Sequence, residues 1–133
     1  TRGSELHVDV PRDSMDWPLV SFILMVDDFR PENGATRFVP GSHLWPHTPA
    51  DVMSDTTAAH DEEEPACGAA GSMIIFNGST WHGYTANRTD RPRRSLQGAF
   101  IPRAGRPATD WEARLTHATR SRLDRVALDL LRP

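Results

Sequence analysis

Three side chains in this sequence carry the donor types of a metal site. His7 and Asp9 stand two residues apart near the start of the chain, and His82 lies far downstream. Two imidazole nitrogens and one carboxylate oxygen on one face of a non-haem Fe(II) ion leave the opposite coordination positions open for a substrate and O2. The set therefore predicts an oxygenase-type iron site at His7, Asp9 and His82, and little else in the chain points to chemistry.

The elements around these residues must bring them together. The alternation of apolar and polar residues over Glu5–Val10 predicts a strand, on which His7 and Asp9 point to the same face because side chains two positions apart do so. A turn-rich loop follows over Pro11–Trp17. The apolar, β-branched stretch Leu19–Val26 then predicts a buried strand.

Turns and short apolar runs divide the rest of the chain into further elements. We predict strands over Thr36–Val39, Ser72–Phe76 and Ser95–Ile101, a turn at Asn33-Gly34 and a short helix near Pro49–Ser54. The polar stretch at 43–71 is long for a loop, and loops of this length are usually functional or disordered. Its acidic run at 61–64 is predicted to be solvated.

The order of these elements indicates a fold class. Short strands separated by turns and followed by a helix are typical of a jelly-roll β-sandwich. The apolar residues from Leu123 to Leu131 recur at helical spacing and predict an amphipathic C-terminal helix. We therefore expect a mainly β core at 1–107, which includes the long loop at 43–71, and a helical segment at 108–133.

Composition excludes several classes of protein. The 133 residues suffice for one domain at most, and a net charge of −3 argues against nucleic-acid binding. The sequence has no run of about 18 apolar residues that would span a membrane, and no secretory signal is apparent. Cys67 is alone, which excludes an intrachain disulfide and favours a reducing compartment, the cytoplasm. All 15 basic residues are arginine, so any anion clamp must use one.

The start of the chain bears on how complete the fold is. The sequence begins with Thr1 rather than Met, and a candidate ligand is reached by His7. We expect that the beginning of the domain is missing and that one or more strands of a sheet are absent with it. The missing strands would leave exposed sheet edges, which a second copy of the chain could pair with in a homo-oligomer.

A longer string completes a recognisable pattern. Residues Asn33–His43 read NGATRFVPGSH, and His82 is followed eleven positions later by Arg93. Together with His7-Val8-Asp9, these parts resemble the phytanoyl-CoA dioxygenase family, whose members are Fe(II)- and 2-oxoglutarate-dependent oxygenases on a cupin-like double-stranded β-helix. The resemblance extends from Leu6 to about residue 102.

The resemblance implies a role for several residues. It makes the two histidines and the aspartate the iron ligands, and it places Arg93 on the distal carboxylate of 2-oxoglutarate, for which a planar bidentate donor is suited. Ser95 shares the face of Arg93 and adds a hydroxyl, and Thr36 reaches a carboxylate of the cosubstrate. Arg94 is the alternative clamp if the register slips by one residue. His43 is structural in the family rather than a ligand.

Other residues have weaker assignments. Tyr84 stands two positions after His82, where the family commonly has a small hydroxyl residue, and this puts one cosubstrate contact in doubt. The aromatic residues either pack in the core or line a substrate pocket; these are Trp17, Trp45, Trp81 and Tyr84. Three further histidines have no partner pattern and are predicted at the surface: His47, His60 and His117.

The function implied is a dioxygenase that uses Fe(II), 2-oxoglutarate and O2 to hydroxylate a C–H bond of a small molecule, with release of succinate and CO2. Related halogenases replace the metal carboxylate with a small residue so that halide can bind, and the presence of Asp9 therefore favours hydroxylation. Two alternatives stay open. One is a cupin-like metalloprotein that does not use 2-oxoglutarate, and the other is a degenerate jelly roll without catalysis. The substrate itself is not identified by the sequence.

Overall fold

The computed structural model of the chain describes residues 3–12 and 17–131, so the middle of the predicted loop over Pro11–Trp17 lies outside the description. Six strands are described: β1 (Val20–Met25), β2 (Thr36–Phe38), β3 (Glu64–Ala66), β4 (Met73–Asn77), β5 (His82–Tyr84) and β6 (Ser95–Phe100). The helices are a 3-10 turn (Ser42–Leu44), α1 (Pro49–Val52), α2 (Trp111–Arg114), α3 (His117–Arg120) and α4 (Arg125–Leu130). None of the described helices has the length and apolar character to cross a membrane.

The strands form two antiparallel three-stranded sheets. The first has the order β4-β1-β6, and Val20 of its central strand pairs with Asn77 on one side and Phe100 on the other. The second has the order β3-β2-β5, and Thr36 at its centre pairs with Ala66 and Tyr84. The mainly β class expected from the sequence is confirmed at this level.

Strand β1 has two faces of different character. Ser21, Ile23 and Met25 are buried, and the two apolar members of this face pack with Phe29 and Ala35 in one core cluster. This alternation is what a strand produces when one face covers a core. The strand predicted over Leu19–Val26 is therefore present, with its buried side set by the pleat.

The opposite face of the first sheet is apolar and exposed. On this face the paired residues of the three strands are Phe22, Leu24, Met73, Ile75, Leu96 and Phe100. The last four of these are at least half exposed. The prediction that 72–76 is a buried strand is therefore wrong for alternate residues, because β4 buries only one of its two faces.

The predicted strand over Glu5–Val10 does not form. Within 3–12 only His7 makes a ladder contact, an isolated bridge to His82. Asp9 and Val10 both donate their backbone N–H to the single carbonyl of Gly78, and the chain bends there instead of continuing a ladder. Leu6 still packs in the second core cluster with Val39 and Trp81. Since a pattern of alternation reports burial rather than pairing, it is satisfied here without a strand.

One buried arginine is hydrogen-bonded to several residues of the 43–71 segment. Arg37 of β2 donates through Nη1 to Glu63 at 2.8 Å and to the carbonyl of Ala58, and through Nη2 to the carbonyl of Ser4 at 3.0 Å. The prediction of a solvated acidic run at 61–64 is wrong for Glu63, whose side chain is 19% exposed opposite an arginine that is 6% exposed. Because Arg37 also reaches Ser4, this ion pair ties the loop to the segment that carries His7.

We expect Glu63→Ala to lower the free energy of unfolding by about 3 kcal/mol, because removing one partner leaves the guanidinium of Arg37 buried without its counter-charge. Urea unfolding followed by circular dichroism measures this change. Glu62→Ala is the matched control, since Glu62 is exposed and its carboxylate makes no hydrogen bond or ion pair with the described residues, while its backbone N–H donates to Nδ1 of His60. Equal stability of the two variants would show that the pair is not required.

The chain divides into two compact units, Thr1–Phe100 and Ile101–Pro133. In the second unit, the helix predicted from the spacing of apolar residues is present as α4, where the Asp124 side chain caps the backbone N–H of Ala127. Val126 and Leu130 of this helix are exposed. The boundary at 107 and 108 between a core and a helical segment stays a prediction.

Candidate metal centre

The structure brings the three predicted ligands together. His7, Asp9 and His82 each offer a ligand atom, and these atoms lie within 4.8 Å of one another. Across residues 3–12 and 17–131, no other group of three or more histidines, cysteines or carboxylates meets this condition. His43 lies outside this group, and its predicted role as a structural residue stays a prediction.

Backbone pairing places the two histidines side by side. The N–H of each donates to the carbonyl of the other at 2.9 Å, so that His7 meets the first residue of β5, His82. The residue after His82 must be glycine for this approach, because a Cβ on Gly83 would lie 2.8 Å from the carbonyl oxygen of Glu5. The imidazole centroids are 4.4 Å apart.

Both histidines are fixed in the same tautomer. The Nδ1 of His7 lies 3.0 Å from the carbonyl oxygen of Glu5, and the Nδ1 of His82 lies 2.8 Å from that of Thr80. A carbonyl only accepts hydrogen bonds, so Nδ1 must carry a proton, and in the neutral ring the lone pair is then on Nε2. Metal-ligating histidines in proteins show this arrangement, with the second ring nitrogen donating to a carbonyl or carboxylate.

The surroundings of His82 favour its neutral form. Burial lowers the pKa of His82, and the Thr80 hydrogen bond and Asp9 oppose this effect while His7 adds to it. Phe38 and Phe76 pack against the ring, with centroids 5.8 and 4.8 Å from its own. A neutral imidazole is the form that binds a metal ion.

The carboxylate of Asp9 has two oxygens in different environments. Oδ1 lies 3.6 Å from Nε2 of His82, whereas Oδ2 accepts a hydrogen bond from the hydroxyl of Ser21 at 2.6 Å. Ser21 is not among the site residues predicted from the sequence. Its signal was available, because it is the only polar residue in a strand that reads VSFILM and it falls on the buried face of that strand.

A cavity of about 460 Å³ adjoins the three candidate ligands. Its apolar lining includes Leu19, Ile23, Phe76 and Ala99, and its polar lining includes Thr36, Tyr84, Arg93 and Gln97. A volume of this size accommodates a small organic molecule beside the metal position. Of the predicted cosubstrate residues, Thr36 and Arg93 line the cavity, whereas Ser95 is absent from its lining.

Arg93 packs against the core, and not all of its N–H donors have a hydrogen-bond partner among the described residues. Its guanidinium carbon lies 4.1 Å from the ring centroid of Phe29, Nη2 donates to the carbonyl of Gly34 at 2.8 Å, and Nη1 approaches the hydroxyl of Ser95 at 3.4 Å. The buried Nε has no hydrogen-bond partner in the described part of the chain. Burial lowers the pKa of Arg93, an effect that Tyr84 and Asp27 oppose. A buried donor without a partner beside a cavity fits an anionic ligand.

Arg94, the alternative clamp, faces a different partner. Its Nε and Nη2 donate to the two carboxylate oxygens of Asp27 at 2.9 and 2.8 Å, and its side chain is largely exposed. Arg94 is not among the residues that line the cavity. The geometry therefore favours Arg93 over Arg94 as the clamp.

The hydrogen bonds that Arg94 donates from its side chain and backbone lower the pKa of Asp27 to about 2. A carboxyl whose pKa falls on folding stabilises the protein above its ordinary pKa, and this contribution disappears as the pH falls from about 4 toward 2. We therefore expect the thermal midpoint of Asp27→Asn to lie below that of the wild type at pH 6 and to approach it near pH 2. Midpoints measured across this range test the sign, and a constant difference contradicts it.

Several other predictions need correction. His47 and His60 are half-buried rather than fully exposed, and each ring lies 5.7 Å from that of the buried Trp81. Trp45 packs on the same ring at 4.9 Å. These contacts assign both tryptophans to packing rather than to a pocket. Tyr84 lines the cavity. Trp17 and His117 are both exposed.

Comparison with known proteins identifies the family. The family model described as phytanoyl-CoA dioxygenase (PhyH) matches residues 3–95. Dioxygenase trt7 of Aspergillus terreus is 39% identical over 83 residues, which are 62% of this chain and 27% of that protein. Multifunctional dioxygenase prhA of Penicillium brasilianum is 40% identical over 92 residues, which are 67% of this chain and 30% of that protein.

Solved structures show the same fold. AviO1 from Streptomyces viridochromogenes superposes with a TM-score of 0.65 at 25% identity, over 81% of this chain and 47% of that one. The epimerase SnoN from nogalamycin biosynthesis, described as non-heme and alpha ketoglutarate dependent, gives a TM-score of 0.55 at 21% identity, over 82% and 52% of the two chains. At that identity the second likeness concerns the fold alone.

The chain spans about a quarter of the length of the curated relatives it matches. The matched part nevertheless contains the three clustered candidate ligands and the arginine at the cavity, since all four lie within 3–95. The family model covers well over half of the chain, and this match establishes membership of the family. The chain belongs to the phytanoyl-CoA dioxygenase family.

Proposed function

We propose that this chain carries the iron and cosubstrate site of a 2-oxoglutarate-dependent dioxygenase that hydroxylates a C–H bond of a small molecule. The observation that carries the proposal is the placement of two imidazoles, one carboxylate and a partly unpaired arginine around one cavity. We further propose that the two antiparallel sheets belong to a double-stranded β-helix, the jelly roll expected from the sequence.

The donor set fits Fe(II). Nε2 of His7, Nε2 of His82 and Oδ1 of Asp9 are the atoms free to bind a cation, since the other polar atoms of these side chains already have partners. Two neutral nitrogens and one carboxylate are the set of the facial non-haem iron site. Only one of the two charges of Fe(II) is neutralised by Asp9, and the remaining positive charge favours an anionic cosubstrate.

Arg93 is the proposed partner of that cosubstrate. 2-Oxoglutarate carries a second carboxylate remote from its keto acid group, and the planar guanidinium binds such a carboxylate with two hydrogen bonds. Ser95 holds one end of the guanidinium, and Thr36 lies on the cavity wall as a further donor. Tyr84 occupies the place of the small hydroxyl residue common in the family and lines the same cavity.

Fe(II) held by His7, Asp9 and His82, together with 2-oxoglutarate at Arg93, would supply the chemistry by which O2 oxidises a C–H bond, with succinate and CO2 as by-products. The protein residues bind and orient these groups and exclude water. Phe76 and Leu19 line the cavity with apolar surface, and Phe38 and Phe76 hold the ring of His82. Because Asp9 retains the carboxylate position, hydroxylation is proposed rather than halogenation. The proposed partners are a small-molecule substrate and O2.

Succinate formation tests the proposal. The purified chain is loaded anaerobically with Fe(II), mixed with 2-oxoglutarate and O2, and assayed with a panel of small molecules, with omission of iron or 2-oxoglutarate as controls. We expect succinate only when both are present. Stoichiometric iron uptake without 2-oxoglutarate turnover supports the cupin-like alternative, and no iron uptake at neutral pH supports a non-catalytic domain.

A further inference from the structure

We propose that Ser21 is a positioning residue that fixes the carboxylate of Asp9, so that Oδ1 alone is presented to the metal. The inference rests on the proposed iron site and concerns a residue that contacts none of the other proposed ligands among the described hydrogen bonds. Its basis is the 2.6 Å hydrogen bond from the Ser21 hydroxyl to Oδ2 of Asp9.

The two partners of this bond differ in how firmly they are held. Ser21 lies on β1, the central strand of its sheet, paired with Phe76 on one side and Ala99 on the other, and it is 4% exposed. Asp9 lies in a bend outside any strand, and its backbone N–H is held by the carbonyl of Gly78. The side chain of Asp9 is 32% exposed. Ser21, which is held by strand pairing on both sides, therefore fixes the side chain of the less constrained Asp9.

The anchor distinguishes the two oxygens of the carboxylate. A hydroxyl that donates to an ionised carboxylate at 2.5–2.7 Å forms a strong, charge-assisted bond. That bond occupies Oδ2 and fixes rotation of the carboxylate about its last torsion, while Oδ1 stays 3.6 Å from Nε2 of His82. Without Ser21, the carboxylate is free to turn and to offer both oxygens to the cation.

The number of metal positions used by Asp9 matters to the proposed chemistry. An Fe(II) ion held by one atom from each of the three side chains would keep positions open for 2-oxoglutarate and O2. A chelating Asp9 would take one of them. Ser21 thus helps to keep Asp9 monodentate and that position open.

The test separates this role from simple burial of a polar group. Ser21→Ala removes the hydrogen bond. Ser21→Cys retains nearly the same side-chain volume with a weaker donor, and Ser21→Thr keeps a hydroxyl at this position. Ser79→Ala is the matched control, because Ser79 is also 4% exposed and its hydroxyl has no hydrogen-bond partner in the described structure. Thermal unfolding of each metal-free variant verifies that it folds.

Co(II) is the probe, since its affinity is measured by titration calorimetry and its visible absorption responds to coordination number. We expect Ser21→Ala to raise the Kd for Co(II) by about 10–100-fold, the effect typical of losing an outer partner of a metal ligand. Its absorption spectrum should change as well, Ser21→Cys should lie between, and Ser21→Thr and Ser79→Ala should bind as the wild type does.

Two results would overturn the proposal. One is a Ser21→Ala variant, or a folded Ser21→Cys variant, with the affinity and spectrum of the wild type. The other is an equal loss of affinity in Ser79→Ala, which would make the effect one of general packing. A wild-type chain that binds no Co(II) would instead refute the metal site itself, so failure of the proposed function is distinguished from failure of the Ser21 assignment.

Discussion

Asp9→Ala is expected to abolish metal binding and succinate formation together. Asp9 supplies the only negative charge among the three clustered ligands, and its loss leaves two neutral imidazoles to hold a divalent cation. Since losing an outer partner of a metal ligand already costs about 10–100-fold in affinity, the loss of the ligand itself should exceed that range. Calorimetric titration with Fe(II) under anaerobic conditions and a succinate assay measure the two effects.

The control for Asp9→Ala is Asp61→Ala, which removes an exposed carboxylate from the 43–71 segment. It should bind Fe(II) and form succinate as the wild type does. An Asp9→Ala variant that kept full iron uptake and hydroxylation would falsify the assignment of Asp9 as a ligand. A variant that kept iron and exchanged hydroxylation for halide transfer would support Asp9 as a ligand whose position halide can take, and would contradict only the expected loss of iron.

Arg93→Ala is expected to raise the KM for 2-oxoglutarate by about 100-fold, while Fe(II) affinity changes little. Charge-assisted hydrogen bonds contribute about 1.5–3 kcal/mol each, and a loss of about 3 kcal/mol corresponds to roughly a hundredfold weaker binding. Steady-state kinetics over a range of 2-oxoglutarate concentrations, with iron at saturation, measure the change. The effect is specific to the cosubstrate because Arg93 is not one of the clustered metal ligands.

Arg94→Ala is the matched control, because it removes the neighbouring guanidinium from the surface ion pair with Asp27. Its KM for 2-oxoglutarate should stay near that of the wild type. If Arg94→Ala instead raised the KM and Arg93→Ala did not, the clamp would be Arg94. If neither variant changed the KM, the cupin-like alternative without 2-oxoglutarate would be favoured.

The sequence was sufficient to identify the residues that meet at the site, but it did not specify how they are held there. His7 and Asp9 converge with His82 as the motif suggested, yet the strand that was to align them is absent. The alignment comes from the bridge to β5 and from Gly78, two partners more than sixty residues away. Spacing along the chain reports local geometry, and long-range pairing of this kind leaves no periodic signal.

Side-chain partnerships were the least predictable part of the structure. Ser21 was hidden within an apolar strand, and Glu63 was taken for one member of a solvated acidic run. Both residues make partly buried polar contacts with groups twelve or more positions away, Ser21 with Asp9 and Glu63 with Arg37. Composition and periodicity describe the average environment of a segment, whereas a single long-range hydrogen bond determines the environment of one residue.

The bridge between His7 and His82 has a consequence for local unfolding. The segment 3–12 contains no regular strand, and several of its contacts are to the distant parts of the chain at Thr56, Gly78 and Tyr84. A cation held by both histidines would cross-link the segment 3–12 to β5, so that local opening of the segment would require release of the ion. The bound ion would then stabilise the contact between this segment and β5. Amide hydrogen exchange at Leu6 and His7 should slow on metal addition more than it does in the strands of the β4-β1-β6 sheet, where fraying is already opposed by pairing on both sides of β1.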